Sequence, residues 1–150
     1  MTENQMRKII RRVSLYPPYL GAGIKLKNVN KDFTRFEVQM KMHWYNRNIF
    51  GTHFGGSLYA MSDPFFVFII MNFLGKEYIV WDKSANIKFV KPGKGTVNVV
   101  FEISKDKLEE LKNDVDEKGK NTYFFKTEIT NSDNEVVARI EKEIYVKKKN

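Results

Sequence analysis

Along this chain the spacing of hydrophobic and polar positions changes period several times, and each change predicts an element. Over residues 2–15, Met6, Ile9, Ile10 and Val13 fall on one helical face, with Arg7, Lys8, Arg11 and Arg12 largely opposite. Thr2 and Gln5 fit a capping box at the start of that helix, and Pro17-Pro18 is expected to end it. The period then drops to two. Ile24 and Leu26 alternate with Lys25 and Lys27, and Phe36, Val38, Met40 and Met42 alternate with Arg35, Glu37, Gln39 and Lys41. These are two strands with one wet face each, joined through Asn30-Lys31-Asp32. Alternation returns over 85–90, ends at the turn Lys91-Pro-Gly-Lys-Gly95, and resumes in the β-branched strand 96–103. Ser104 is a candidate N-cap for a helix over 104–118 that buries Leu108, Leu111 and Val115 and stops at Gly119. Two more strands, 121–130 and 135–146, flank the hairpin sequence Asn131-Ser-Asp-Asn134. About six strands, one central helix and two peripheral ones make an α+β fold with a mostly antiparallel sheet.

The central stretch departs from every amphipathic pattern. Gly55-Gly56 opens a segment in which Phe65 to Met71 are consecutive apolar residues, ended by Gly75. As one helix over 56–74 it spans about 28 Å, and a helix apolar on every side has to be buried on every side. Ser62, Asp63, Pro64 and Asn72 interrupt it, which argues against a membrane span. A sheet on one side cannot cover such a helix alone, so a homodimer or dimer of dimers is expected. On a continuous helix Gly56, Tyr59 and Asp63 share a face. A helix start with two glycines offers free N–H groups that a ligand can approach closely, and Asp63 among Phe and Ile is a candidate base with a raised pKa. The competing reading is local: Asp-Pro is a good N-cap and N1 pair, which makes Asp63 a helix cap.

Composition narrows the field. With 150 residues and 42% hydrophobic content, the chain is expected to form one domain, 1–150, with a real core. The absence of cysteine excludes disulfides, thiolate nucleophiles and Cys-based zinc sites, and His43 and His53 are too few for a metal centre. No P-loop, Rossmann fingerprint or Gly-x-Ser-x-Gly elbow is present, so no cofactor is predicted. The net charge of +8 suits an anionic partner. No nucleic-acid-binding signature accompanies it, and the aromatic residues concentrate in the apolar core segment. The first residues lack the apolar run of a secretory signal, which predicts a cytoplasmic protein.

Two motifs carry a family resemblance. Gly55-Gly-Ser-Leu-Tyr-Ala-Met-Ser-Asp63 resembles the Gly-Gly-x-Leu-aromatic-x-Leu-Ala-Asp signature of hotdog-fold acyl-CoA thioesterases of the phenylacetyl-CoA type. Trp81-Asp-Lys-Ser-Ala-Asn-Ile-Lys-Phe-Val-Lys-Pro-Gly93 is similar to that family's strand and its basic-Pro turn. The overall look is closest to an uncharacterised thioesterase-like subgroup, a domain of unknown function. The resemblance implies an antiparallel sheet wrapped around a long central helix, a dimer, and hydrolysis of an acyl-CoA to free acid and CoA at the dimer interface. The alternative on the same fold is a non-catalytic acyl or acyl-CoA binding protein. By position Gly56 becomes the amide that polarises the thioester carbonyl, and Asp63 the carboxylate that activates water or attacks. Asn48, His53, Gly55 and Tyr59 become substrate-binding candidates. The family places His immediately before the glycine pair; here Phe54 stands there and His53 is one residue early. Asn48 either orients substrate or closes a turn, Trp81 is either core or pocket mouth, and Lys88, Lys91 and Lys94 are candidates for CoA phosphates.

Overall fold

The computed structural model describes residues 2–149; the side chains of Glu3 and Met6 lie outside the described set, so the placing of Met6 on the first helix's apolar face is not tested. The elements in chain order are α1 (Glu3–Ser14), α2 (Pro17–Ala22), β1 (Ile24–Val29), β2 (Arg35–Lys41), α3 (Gly55–Ala60), α4 (Phe65–Leu74), β3 (Tyr78–Phe89), β4 (Thr96–Glu102), α5 (Lys105–Lys118), β5 (Lys120–Asn131) and β6 (Val136–Lys148). The strands form one six-stranded sheet in the order β1-β2-β4-β5-β6-β3, with every neighbouring pair antiparallel.

Most elements form for the reasons their spacing predicts. The Thr2–Gln5 capping box is present, with both reciprocal bonds made. Ser104 accepts the amide of Lys107, and Leu108, Leu111 and Val115 are buried beneath α5. In the hairpin after β5, the Asn131 side chain accepts the amides of Asp133 and Glu135, while Asn134 takes the left-handed backbone (φ 60°) that the tight reversal needs. Pro17-Pro18 does not simply end a helix. The two prolines open α2 instead, where their missing N–H groups cost nothing.

The central segment differs from the predicted continuous helix. It is two helices, α3 and α4, interrupted over 61–64, with a cis Asp63–Pro64 peptide bond inside the break. Pro64 has no N–H to give the carbonyl of Ala60, and the amide of Asp63 bonds there instead at 3.2 Å. Nor is Asp63 a cap: Pro64 holds the N-cap position of α4 and no side chain caps that helix. The 20-residue stretch Gly55–Leu74 is long and apolar enough to cross a membrane, but half of it is buried inside the fold.

The folded chain covers α4 largely by itself. Phe65 stacks on Phe101 with ring centroids 5.0 Å apart, Phe66 stacks on Phe125 at 5.2 Å, and Ile69 and Ile70 are fully buried. Only Met71 on this helix's run is half-exposed and Phe68 partly so. All-round apolarity therefore does not by itself require a second subunit. The open surface lies elsewhere. Strand β3 is an edge strand that starts at Tyr78, earlier than the alternation predicts, and beyond its bulge at Asp82–Ser84 most of its residues are exposed. Trp81 is 52% exposed and stacks on Tyr145, so it is not a core residue.

Candidate functional site

The candidate residues fall into two neighbourhoods. The first is the loop leading into α3. Asn48 is used entirely to close that loop: its Nδ2 donates to Thr52 Oγ1 at 2.9 Å, and its Oδ1 accepts the amides of Phe50 and Thr52. His53 is 3% exposed, its amide bonds to the Gly93 carbonyl, and its Nε2 lies 2.8 Å from the Gly95 carbonyl. A carbonyl accepts only, so Nε2 carries the proton and Nδ1 is left buried without a partner. Burial lowers the imidazole's pKa against the opposing pull of the Gly95 carbonyl. Asn48, Thr52, His53, Gly55, Leu58, Phe89 and the 90–93 turn line a cavity of about 340 Å³.

The glycine pair has a steric reason beyond any role in catalysis. A Cβ on Gly56 would stand 2.5 Å from the Phe54 ring, and one on Gly55 would stand 3.0 Å from the Phe89 ring. With glycine at both positions the two aromatic rings close over the start of α3, and a side chain there would push these exposed rings aside. As first-turn residues of that helix, Gly55 and Gly56 have N–H groups with no acceptor inside it. Of the three lysines proposed for phosphates, Lys91 is paired with Glu135 at 2.7 Å, and Lys88 lines a separate hollow beside β5 and β6.

The second neighbourhood surrounds the α3–α4 break. Asp63 is not the deeply buried acid that its apolar sequence context suggests; its side chain is 53% exposed. With Ala60, Pro64 and Phe68 it faces α1 and α2 (Arg12, Val13, Tyr16, Pro18, Tyr19) across a mainly apolar cavity of about 530 Å³. The Tyr19 hydroxyl donates to the Asp63 carbonyl, and burial, with the Asp63 carboxylate nearby, raises the pKa of that hydroxyl well above its ordinary value.

The buried charge here belongs to Lys142, which is 1% exposed. Its Nζ lies 2.9 Å from Asp82 Oδ2 and 3.6 Å from Asp63 Oδ1, and sits 5.4 Å from the centroid of the Tyr59 ring. These are ion pairs by distance, but Lys142 Nζ and Asp82 Oδ1 have no well-directed hydrogen bond. Burial pushes the Asp82 carboxyl up to about 6, the Asp63 carboxyl beside it pushes the same way, and Lys142 opposes both. Tyr59 and Asp63 thus meet the same ammonium, Lys142, and do not share the helix face predicted for them. Sequence reasoning missed Lys142. The signal was there: it takes an inward position of β6, in register with Ala138, Ile140, Ile144 and Val146.

The two neighbourhoods open into different cavities, with Gly55, Asn48 and His53 on one and Asp63 on the other. Comparison with known proteins gives this arrangement its context. No curated protein matches the chain. Among solved structures, a protein of unknown function from Pseudomonas aeruginosa, PA5026, described as a probable thioesterase, superposes with a TM-score of 0.78 at 17% identity, covering 95% of both chains. The thioesterase HI1161 from Haemophilus influenzae gives 0.69 at 13% identity, over 95% of this chain and 90% of that one. The PaaI protein of the E. coli phenylacetic acid degradation operon gives 0.63 at 15%, over 96% and 92%. At these identities the likeness establishes the fold, an antiparallel hotdog sheet around a central helical segment. The family model described as "Domain of unknown function (DUF4442)" matches residues 6–146, nearly the whole chain, and to that family, on a hotdog fold shared with thioesterases, this protein belongs.

Proposed function

We propose that this protein is a cytoplasmic thioester hydrolase that splits an acyl-CoA, or a related acyl thioester, into free acid and thiol at a site between two subunits. The observation that carries the reading is Asp63: a half-exposed carboxylate in the wall of an apolar cavity large enough for part of an acyl chain, seven residues after a glycine pair with free helix-start amides. Asp63 takes a proton from water as the water oxygen attacks the thioester carbonyl, or attacks that carbonyl itself to give an anhydride that water then opens. In either course the C–S bond breaks and the thiolate leaves with the sulfur electrons. The Gly56 amide stabilises the oxygen that becomes negative, an interaction worth about 3 kcal/mol in comparable oxyanion sites. Because Gly55 and Asp63 line different cavities in one chain, the reading requires Asp63 of the partner subunit to meet the first chain's Gly56. The exposed outer half of β3 and the aromatic residues beside it offer the surface for that pairing.

One observation favours a second reading, a non-catalytic acyl-binding protein: the Asn48 amide is spent on its own loop and the His53 ring N–H on the Gly95 carbonyl, so both side-chain donors are already taken. A panel of acyl-CoA substrates with a free-thiol readout separates the two. Hydrolysis should appear in the wild type, and Asp63→Ala should lower kcat by at least ~100-fold with acyl-CoA affinity kept. A folded Asp63→Ala protein that turns over at the wild-type rate removes Asp63 from the mechanism, and binding without turnover in the wild type establishes the second reading.

A further inference from the structure

A lysine with 1% exposure needs a reason, because burying an ammonium is costly unless anions meet it. Lys142 reaches from β6 to two carboxylates on different elements, Asp82 of β3 and Asp63 of the α3–α4 break, and its Nζ lies under the Tyr59 ring of α3. An ammonium within about 6 Å of an aromatic centroid is attracted to the ring face. Among the described residues, the titratable groups that also face this cluster include Tyr19 of α2, whose hydroxyl is held on the Asp63 carbonyl, and Arg12 and Tyr16, which line the same cavity as Asp63. Across β6's two neighbours, Lys142 lies opposite Ala85 and Phe125, neither of which offers a charge.

Three facts of geometry single this lysine out. Asp63 sits in a short irregular segment, where no repeating hydrogen-bond pattern fixes its side chain. Lys142 comes from the sheet interior, in a strand paired on both sides, and is among the most rigidly placed groups near it. The shortest contact of Lys142 is with Asp82, at 2.9 Å, while Asp63 stands off at 3.6 Å with one oxygen toward it. Asp82 therefore anchors the ammonium, and the ammonium orients Asp63 without capturing it.

We propose that Lys142 is a positioning residue for Asp63, fixing that carboxylate's direction through an Asp82–Lys142–Asp63 cluster beneath Tyr59. The proposal rests on the reading of Asp63 as the reactive carboxylate. Its charge logic is simple: an ammonium at this distance draws the nearer Asp63 oxygen toward it, and its removal takes that directing charge away.

The test uses the full-length protein, with NMR three-bond couplings reporting the Asp63 χ1 angle beside kcat and KM measured at pH 7 on the acyl-CoA panel. Lys142→Met keeps the volume and removes the charge. Because that change strands Asp82, the double variant Lys142→Met/Asp82→Asn serves as the folded control, with no unpaired buried charge left near the site. Asp63 should hold one χ1 rotamer in the wild type and average over several in the double variant. kcat should fall at least ~10-fold, while KM changes little. The same single Asp63 rotamer in both proteins overturns the proposal, as does a disordered Asp63 with an unaltered kcat. A wild type that hydrolyses none of the thioesters refutes the hydrolase reading instead, and the couplings still decide whether Lys142 orients Asp63.

Discussion

Asp82→Asn should make the protein more stable, and only above the pH at which Asp82 loses its proton. Asp82 is 23% exposed and its carboxyl is pushed from an ordinary value of 3.8 to about 6. An acid whose folded-state pKa is raised holds its proton more tightly folded than unfolded. Stability is therefore highest below the unfolded value, falls as pH rises between the two, and is fully lost above the folded value. A shift of this size corresponds to about 3 kcal/mol at pH 8, of which only about 1 kcal/mol has developed at pH 4.5. The attraction of Lys142 is already contained in that raised value, so burial and the neighbouring Asp63 outweigh it. Asparagine is close in shape to the protonated acid and keeps an oxygen for Lys142. The variant should thus match the wild type near pH 4 and exceed it by up to about 3 kcal/mol at pH 8, a rise in Tm of roughly 6–12 °C for a chain of this size. Urea and thermal unfolding of both proteins across that range provide the measurement. Equal destabilisation of Asp82→Asn at both ends would refute the reasoning and make the Asp82–Lys142 pair a net stabiliser, as some buried pairs are when one partner is removed.

Two further outcomes are expected. Phe65→Ala removes a fully buried ring stacked on Phe101 and packed against Phe36, and should cost about 3–5 kcal/mol in chemical unfolding; a loss below 1 kcal/mol would mean that the aromatic cluster refills the space. Sedimentation at micromolar concentration should show a dimer or larger assembly, and a monodisperse monomer would leave the shared-site reading without its second half.

How much of this was legible beforehand varies with the range of the interaction that decides each element. The alternation of β1 and β2, the Ser104 cap and the Asn131–Asn134 hairpin depend on near neighbours, and each appears where its residues place it. The break at 61–64 was not legible. Local rules offered a kinked continuous helix or a cap at Asp63, and packing around Met61 and Ser62, both fully buried, selected neither. The glycine pair and Asp63 stood out in the sequence motif, but their assignment to one helix face failed with the helix. Lys142 was readable in principle, as a charge flanked in its register by Ala138, Ile140, Ile144 and Val146, but its partners come from segments some 60 and 80 residues away. Asp82 lies in the stretch before the expected start of β3, and without that strand its inward direction has no basis.

The order of the strands also sets the order in which the chain can acquire its shape. β5 and β6 are joined by a tight reversal and pair along almost their whole length, so their contacts are local and close quickly. β2 with β4, and β3 with β6, instead join positions about 50 to 70 residues apart, and both connections enclose or border the two central helices. Closing such distances has an entropic cost that is recovered only once the far strands are in register. α4, the most apolar piece of the chain, is thus exposed until late in that sequence. The rate at which β4 and β6 capture their distant partners determines how long Phe65, Phe66, Ile69 and Ile70 stay open to other chains during synthesis.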